Sequence, residues 1–166
     1  MFQNTDHLDE GWGRHMASPP PTAPELPDYS FHREPLAGGH SEADARRLRV
    51  LVVDDAPDVT EMIAMLMSYA GYQVATAFSA PEAFDYARRE HFDAVISDIG
   101  MPGMNGYQLA EALRALPDYG STPLIAVSGF TMYDDREQAR AAGFDGFITK
   151  PINPSDLIAA VRRLCG

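Results

Sequence analysis

The stretch Leu48-Arg49-Val50-Leu51-Val52-Val53-Asp54-Asp55 decides how the rest of the chain reads. Its apolar run is short, rich in β-branched residues and stops on two acids, the pattern of a strand buried on both faces. Such a strand needs helices above and below it. Val59, Met62, Ile63, Leu66, Met67 and Ala70 supply the first, falling at the spacing of one helix face. With Leu48–Asp54 as the first strand, four more follow at Gln73–Ala77, Ala94–Asp98, Leu124–Ser128 and Phe147–Lys150. Helical spacing recurs in Ala83, Phe84 and Ala87, in Leu109, Ala112, Leu113 and Leu116, and in Leu157, Ile158, Val161 and Leu164. Met132–Ala142 is also helical but more polar, which predicts the least firmly packed helix. Ser79 with Glu82 three residues on fits a capping box, and Asn153 before Pro154 fits an N-cap with proline at the first helical position. Strict alternation of strand and helix predicts an α/β domain over 48–166, a (βα)5 unit whose parallel sheet is covered on both faces.

Ahead of this domain the pattern is different. Residues 1–47 hold Pro19, Pro20, Pro21, Pro24, Pro27 and Pro35, with eight acidic and four basic residues and no sustained apolar period. Each proline fixes φ and removes a backbone donor, so this segment is expected to be a disordered, partly extended tail. The whole chain of 166 residues carries a formal charge of −11, which disfavours direct binding to nucleic acid or to an anionic membrane surface. No apolar run is long enough to span a bilayer, and the first ten residues lack the basic and apolar regions of a secretory signal. A cytoplasmic protein is expected. Cys165 is the only cysteine, so neither an internal disulfide nor a cysteine-based metal site can form. Among 13 basic residues the only lysine is Lys150.

In a parallel sheet of this kind, ligand chemistry gathers where the strands end. Those ends carry Asp54 and Asp55 after the first strand, Asp98 at the third, Ser128 at the fourth and Lys150 at the fifth. Taken singly, the acid pair is an ordinary helix start, Asp98 and Ser128 are ordinary turn residues, and Lys150 is an ordinary exposed strand end. Their joint placement on matching strand ends is what argues for a site. Three carboxylates in one pocket repel unless a hard divalent cation sits among them, and a small oxygen cluster suits Mg²⁺. A lysine able to meet an oxyanion and a serine able to donate to a phosphoryl oxygen complete a centre for phosphate transfer.

Four motifs carry a family resemblance: Val52-Val53-Asp54-Asp55; Ile96-Ser97-Asp98-Ile99-Gly100-Met101-Pro102-Gly103-Met104-Asn105-Gly106; Ala126-Val127-Ser128-Gly129; and Gly143 through Pro151 around Lys150. In this order and spacing the chain resembles the receiver domain of two-component response regulators, over essentially all of 48–166. The resemblance implies a flavodoxin-like, doubly wound sheet in the order 2-1-3-4-5. It implies that Asp98 is the nucleophile taking a phosphoryl group from a phosphohistidine on a sensor histidine kinase or phosphotransfer protein. Asp55, Asp98 and the backbone carbonyl of Gly100 would hold Mg²⁺ directly, and Asp54 through a water. Lys150 would pair with Asp98 and then with the phosphoryl group. Ser128 would swing toward that group, with the ring of Phe147 following. The output face would be roughly 132–164, binding a downstream effector protein or a second copy on phosphorylation. On this reading the chain is a signalling switch and phosphoprotein, not an enzyme.

Some positions qualify the resemblance. Ser128 stands where threonine is more usual, and Phe147 where tyrosine is also common. Gly100 and Phe130 lack groups that could orient an attacking water, so the aspartyl phosphate should be long-lived. The chain stops directly after the last expected helix, so either a stand-alone receiver acting through protein contacts or a piece of a longer protein is expected, and the initiating Met1 favours the first. The alternative is the receiver module of a hybrid kinase or phosphorelay intermediate passing phosphate onward. A haloacid-dehalogenase-like phosphatase is disfavoured because Gly100 occupies the position of its general acid. A flavin-binding flavodoxin is disfavoured because the first turn, Asp54-Asp55-Ala56-Pro57, is acidic where a cofactor phosphate needs donors.

Overall fold

A computed structural model of the protein describes residues 46–129 and 133–166. The expected tail lies outside the described residues except for Arg46 and Arg47, as do Phe130 and Met132. Five strands and five helices alternate: β1 Arg49–Val53, α1 Pro57–Tyr69, β2 Gln73–Ala77, α2 Ala80–Arg89, β3 Ala94–Asp98, α3 Gly106–Arg114, β4 Leu124–Ser128, α4 Tyr133–Ala142, β5 Gly146–Thr149 and α5 Pro154–Cys165. All pair in parallel, in the order β2-β1-β3-β4-β5. The middle three strands of the sequence have the expected bounds. β1 is shorter by a residue at each end, and β5 begins and ends one residue earlier than expected because Gly146 already pairs opposite Ile125.

Side-chain alternation along the strands divides the core in two. Val50 and Val52 of β1, with Ala94 and Ile96 of β3 and Ile125 and Val127 of β4, face Ile63 and Met67 of α1 and Leu157 and Val161 of α5. Leu51, Val53, Val95, Leu124 and Ala126 face the other way, against Ala83 of α2, Leu109 and Leu113 of α3, and Ala139 and Ala142 of α4. Each fully buried Leu, Ile or Val stabilises the fold by about 1.5–3 kcal/mol relative to exposure. α4 buries only alanines among its described residues, in keeping with the weak packing expected of it.

The helix starts are tied as their sequences imply. Asn153 accepts from the Ser155 amide at 3.0 Å, with Pro154 opening α5. Ser79 accepts from the Glu82 amide at 3.3 Å, but the Glu82 carboxylate accepts from the amide of Phe78, one residue ahead of the cap. A reciprocal Asn105–Gln108 box that the sequence reading passed over opens α3.

The opposite end of the sheet, where the strands begin, is held by two buried or half-buried side chains. Arg114, closing α3, donates to the carbonyls of Gly143, Tyr119 and Thr122 and to the Asp145 carboxylate, all within 3.0 Å. Tyr119, on a short 3-10 turn, donates its hydroxyl to the Glu90 carbonyl at 2.8 Å and accepts from the Phe92 amide at 3.2 Å. Tyr119→Phe strips both partners at a site 2% exposed. We expect a loss of about 1–3 kcal/mol in urea unfolding, the penalty for buried polar groups left unmatched. An unchanged unfolding midpoint would show that water replaces the hydroxyl.

Candidate functional site

Parallel pairing in register brings the carboxyl ends of the central strands level. Val53 lies beside Ser97, Asp98 beside Val127, and Ser128 beside Thr149. Asp54, Asp98, Ser128 and Lys150 therefore reach one end of the sheet from four different strands, as the sequence pattern predicts. Asp54 is 1% and Asp98 6% exposed, and Ser128 is fully buried. Asp55 stands exposed beside them.

Lys150 binds the two buried acids together. Its Nζ lies 3.1 Å from Asp54 Oδ2 and 3.4 Å from Asp98 Oδ1. The resemblance implies a pairing with Asp98; the structure places the ammonium between both carboxylates, nearer Asp54. The other Asp54 oxygen accepts from the Ala56 amide at 2.9 Å. The Asp54 side chain thus ties the turn ahead of α1, whose N-cap residue is Ala56 and has no side-chain cap. With both its oxygens engaged by protein donors, Asp54 has less capacity for a direct metal bond than the exposed Asp55.

Three residues support this end without having been singled out by the sequence. Thr60 Oγ1 donates to the Asp54 carbonyl at 2.9 Å, and Ser97 Oγ to the Asp98 carbonyl at 2.9 Å. A polar residue one turn into an apolar-faced helix, and one inside an apolar strand, are the signals that could have found them. The third is Gly106, whose amide donates to the Ile99 carbonyl at 2.9 Å. It lets α3 start hard against the backbone of Asp98. Gly103, in the same loop, has φ +73°, a turn conformation that suits glycine. Gly100 is exposed two residues beyond Asp98. Phe147 is half-buried on β5, with the Arg136 guanidinium 5.2 Å from its ring centre.

The electrostatics follow from burial. Desolvation first, then the charge of Asp54, raise the Asp98 pKa above the ordinary carboxylate value, while Lys150 and the Gly100 amide pull it back. Burial would lower the Lys150 pKa, but its hydrogen bonds and charge contacts with Asp54 and Asp98 outweigh that and hold it above the usual lysine value. The two acids thus favour the charged ammonium between them, while burial makes the ionised form of Asp98 costly.

One carboxylate oxygen from each of Asp54, Asp55 and Asp98 lies within 4.8 Å of the others. Acid oxygens at this spacing fit a hard divalent cation.

A raised carboxyl pKa has a sign that can be tested. The folded chain holds the Asp98 proton more tightly than the unfolded chain, so the ionised form penalises folding above the raised pKa. Stability is regained as pH falls through it toward the unfolded value. In metal-free buffer Asp98→Asn should melt higher than wild type at neutral pH, with the gap closing as acid is added. Scanning calorimetry across mildly acidic pH measures this, and a gap independent of pH would rule it out.

A family model described as the response regulator receiver domain matches residues 50–162. Response regulator Rre1 of Synechocystis is 37% identical over 121 residues, 72% of this chain and 52% of its own length, so the chain spans about half of that relative. The chemotaxis protein CheY4 of Vibrio cholerae superposes with a TM-score of 0.69 at 33% identity, covering 71% of this chain and 98% of its own. The receiver domain of the sensor histidine kinase PA1611 from Pseudomonas aeruginosa, solved with magnesium in its active-site cleft, superposes with a TM-score of 0.68 at 27% identity. That match covers 72% of this chain and 98% of the solved one.

Proposed function

Because the chain belongs to the response regulator receiver domain family, we propose that it is a phosphorylation-dependent switch of a two-component system. Asp98 accepts the phosphoryl group of a phosphohistidine on a sensor histidine kinase or phosphotransfer protein. The observation that carries this reading is the single ammonium of Lys150 set between two buried carboxylates at the strand ends.

An Asp98 oxygen attacks phosphorus, the P–N bond to the donor imidazole breaks, and the leaving nitrogen keeps the electron pair. An acyl phosphate results. Asp55, Asp98 and the Gly100 carbonyl would hold Mg²⁺, with Asp54 beside them, and the bound ion would supply neutralising charge to the transferring oxygens. Lys150 is already within reach of Asp98, and the new phosphoryl oxygens draw it from the carboxylate. Ser128, at the adjacent strand end, donates its hydroxyl to the phosphoryl group, and Phe147 moves with it. The signal leaves through α4, β5 and α5 by protein contacts in the cytoplasm, and the chain turns over no external substrate beyond its own phosphorylation and dephosphorylation.

Incubation with acetyl phosphate, followed by intact mass, tests the reading. One added phosphoryl group is expected with Mg²⁺ and none with excess EDTA; labelling indifferent to EDTA refutes the metal assignment. With Gly100 unable to orient a water, the label should persist well beyond seconds after the donor is removed, and decay within seconds would contradict the long lifetime.

A second reading, the receiver of a hybrid kinase or relay intermediate, draws support from the likeness to a receiver domain of a sensor histidine kinase. Rapid onward transfer from labelled protein to a histidine phosphotransfer domain would favour it.

A further inference from the structure

We propose that the outer face of α1 is the interface of a symmetric dimer, closed by the α1 of a second copy of this chain running antiparallel across it. Among the described residues four large apolar side chains are exposed, and three of them, Met62, Met65 and Tyr69, stand on this one helix. They fall three and four residues apart and so form a single narrow seam. Tyr69, at its end, is 92% exposed. The core side of the same helix is already buried through Thr60, Ile63 and Met67. The seam is therefore a second apolar stripe that folding of one chain leaves in water, and such a concentrated patch marks a contact site. Its 3-4 spacing is the one at which two packed helices interdigitate.

The charges around the seam decide what covers it. Asp58 continues the stripe toward the start of α1, with Glu61 beside it, and both are exposed; the last turn of the helix has no basic residue. At the other end Tyr69 shares a groove of about 430 Å³ with the exposed Arg162 of α5. Among the described residues none of these three charged groups forms an ion pair within 4 Å. Turned through a half circle about a point between Met62 and Met65, this pattern becomes its own complement. Met62 then meets the second copy's Met65, and Asp58 meets the second copy's Tyr69 and Arg162. A two-fold axis repeats each contact, so one match satisfies both ends of the seam. A lipid surface fits less well, because acids flank the stripe on a chain with a formal charge of −11.

α1 and α5 pack on the side of the sheet opposite α4, so this interface is separate from any pairing through α4 and β5 and needs no phosphoryl group. With 13 residues α1 is about 20 Å long, which makes the contact small. A dissociation constant of about 10–100 µM is expected.

Sedimentation velocity on the full chain, over a concentration series spanning that range, should show a monomer–dimer equilibrium. Asp58→Arg and Arg162→Asp each set like charges face to face and should weaken self-association by about tenfold or more. An equimolar mixture of the two variants restores an opposite-charge pair at both ends and should recover the wild-type affinity to within about threefold. Mixing repairs no folding defect, so recovery is specific to the two-fold match. Both variants should still be labelled at Asp98 by acetyl phosphate, and beryllofluoride with Mg²⁺ should leave the dimer constant within about twofold. The proposal is overturned if the chain stays monomeric throughout, if either variant associates like wild type, if the mixture fails to recover, or if the dimer forms only with beryllofluoride. A chain that is labelled at Asp98 yet stays monomeric overturns the dimer and leaves the receiver chemistry standing.

Discussion

Asp98→Ala takes up no phosphoryl group from acetyl phosphate under conditions that label the wild type to one equivalent, a loss of at least about a thousandfold in rate. The size of the effect follows from what the residue is asked to do. In the proposed function it supplies the atom that bonds to phosphorus, so nothing else in the cluster should substitute for it. Asp54 is buried more deeply than Asp98, and its side chain is tied to the turn ahead of α1 through the Ala56 amide. Asp55 is exposed and lacks a lysine held against it. The variant should remain folded, because removing a carboxylate that burial and Asp54 hold above its ordinary pKa relieves a penalty. Intact mass gives the stoichiometry and circular dichroism checks the fold. Equal labelling of both proteins would place the acceptor elsewhere and end the assignment.

Gly106→Ala produces the second large effect, through packing. A β-carbon at this position would lie 2.3 Å from the carbonyl oxygen of Asp98 and 2.7 Å from the α-carbon of Ile99. Both obstacles are backbone, so no side-chain rotation relieves them. Either α3 lifts from the end of β3 or the β3 terminus gives way. Overpacking typically costs about 1–3 kcal/mol, and a clash with two backbone groups belongs at or above the top of that range. A fall in thermal midpoint of about 10 °C is expected for a domain of this size. The colliding oxygen belongs to Asp98, the proposed acceptor, so labelling should slow even where the variant is folded. A variant that melts like wild type would mean that α3 does not approach β3 this closely.

Much of this was open to reading in the sequence because it depends on local order. The strands Gln73–Ala77, Ala94–Asp98 and Leu124–Ser128 are apolar runs with polar or turn-forming flanks, so their ends are marked on both sides. Strand-end chemistry was legible for the same reason, since in a parallel sheet position along the chain converts directly into position in space. What escaped depends on partners distant in the chain. Nothing around Arg114 announces that it will reach the Gly143 carbonyl, and nothing around Tyr119 announces the Glu90 carbonyl. Its place at the end of the last strand puts Lys150 at the right end of the sheet, but its position between Asp54 and Asp98 depends on how strands β1, β3 and β5 are arranged in the sheet. The close approach of Gly106 is likewise a property of how α3 meets β3, which a glycine in a turn-rich motif does not disclose.

Arg114 has a mechanical consequence. By holding the Gly143 carbonyl through both Nε and an Nη, it pins the carboxyl-terminal end of α4 to the end of α3. Near its other end, α4 is met by α3 again, where the Tyr107 hydroxyl donates to the Asp135 carbonyl at 3.5 Å. The guanidinium contacts are short and the Tyr107 contact is long, so the helix is held more firmly at its carboxyl-terminal end than near its start. A helix of 10 residues is about 15 Å long, and displacement along it grows with distance from the pivot. Arg136 lies farther from the pinned end than Arg140, so any swing about that end would displace the Arg136 charge more than the Arg140 charge.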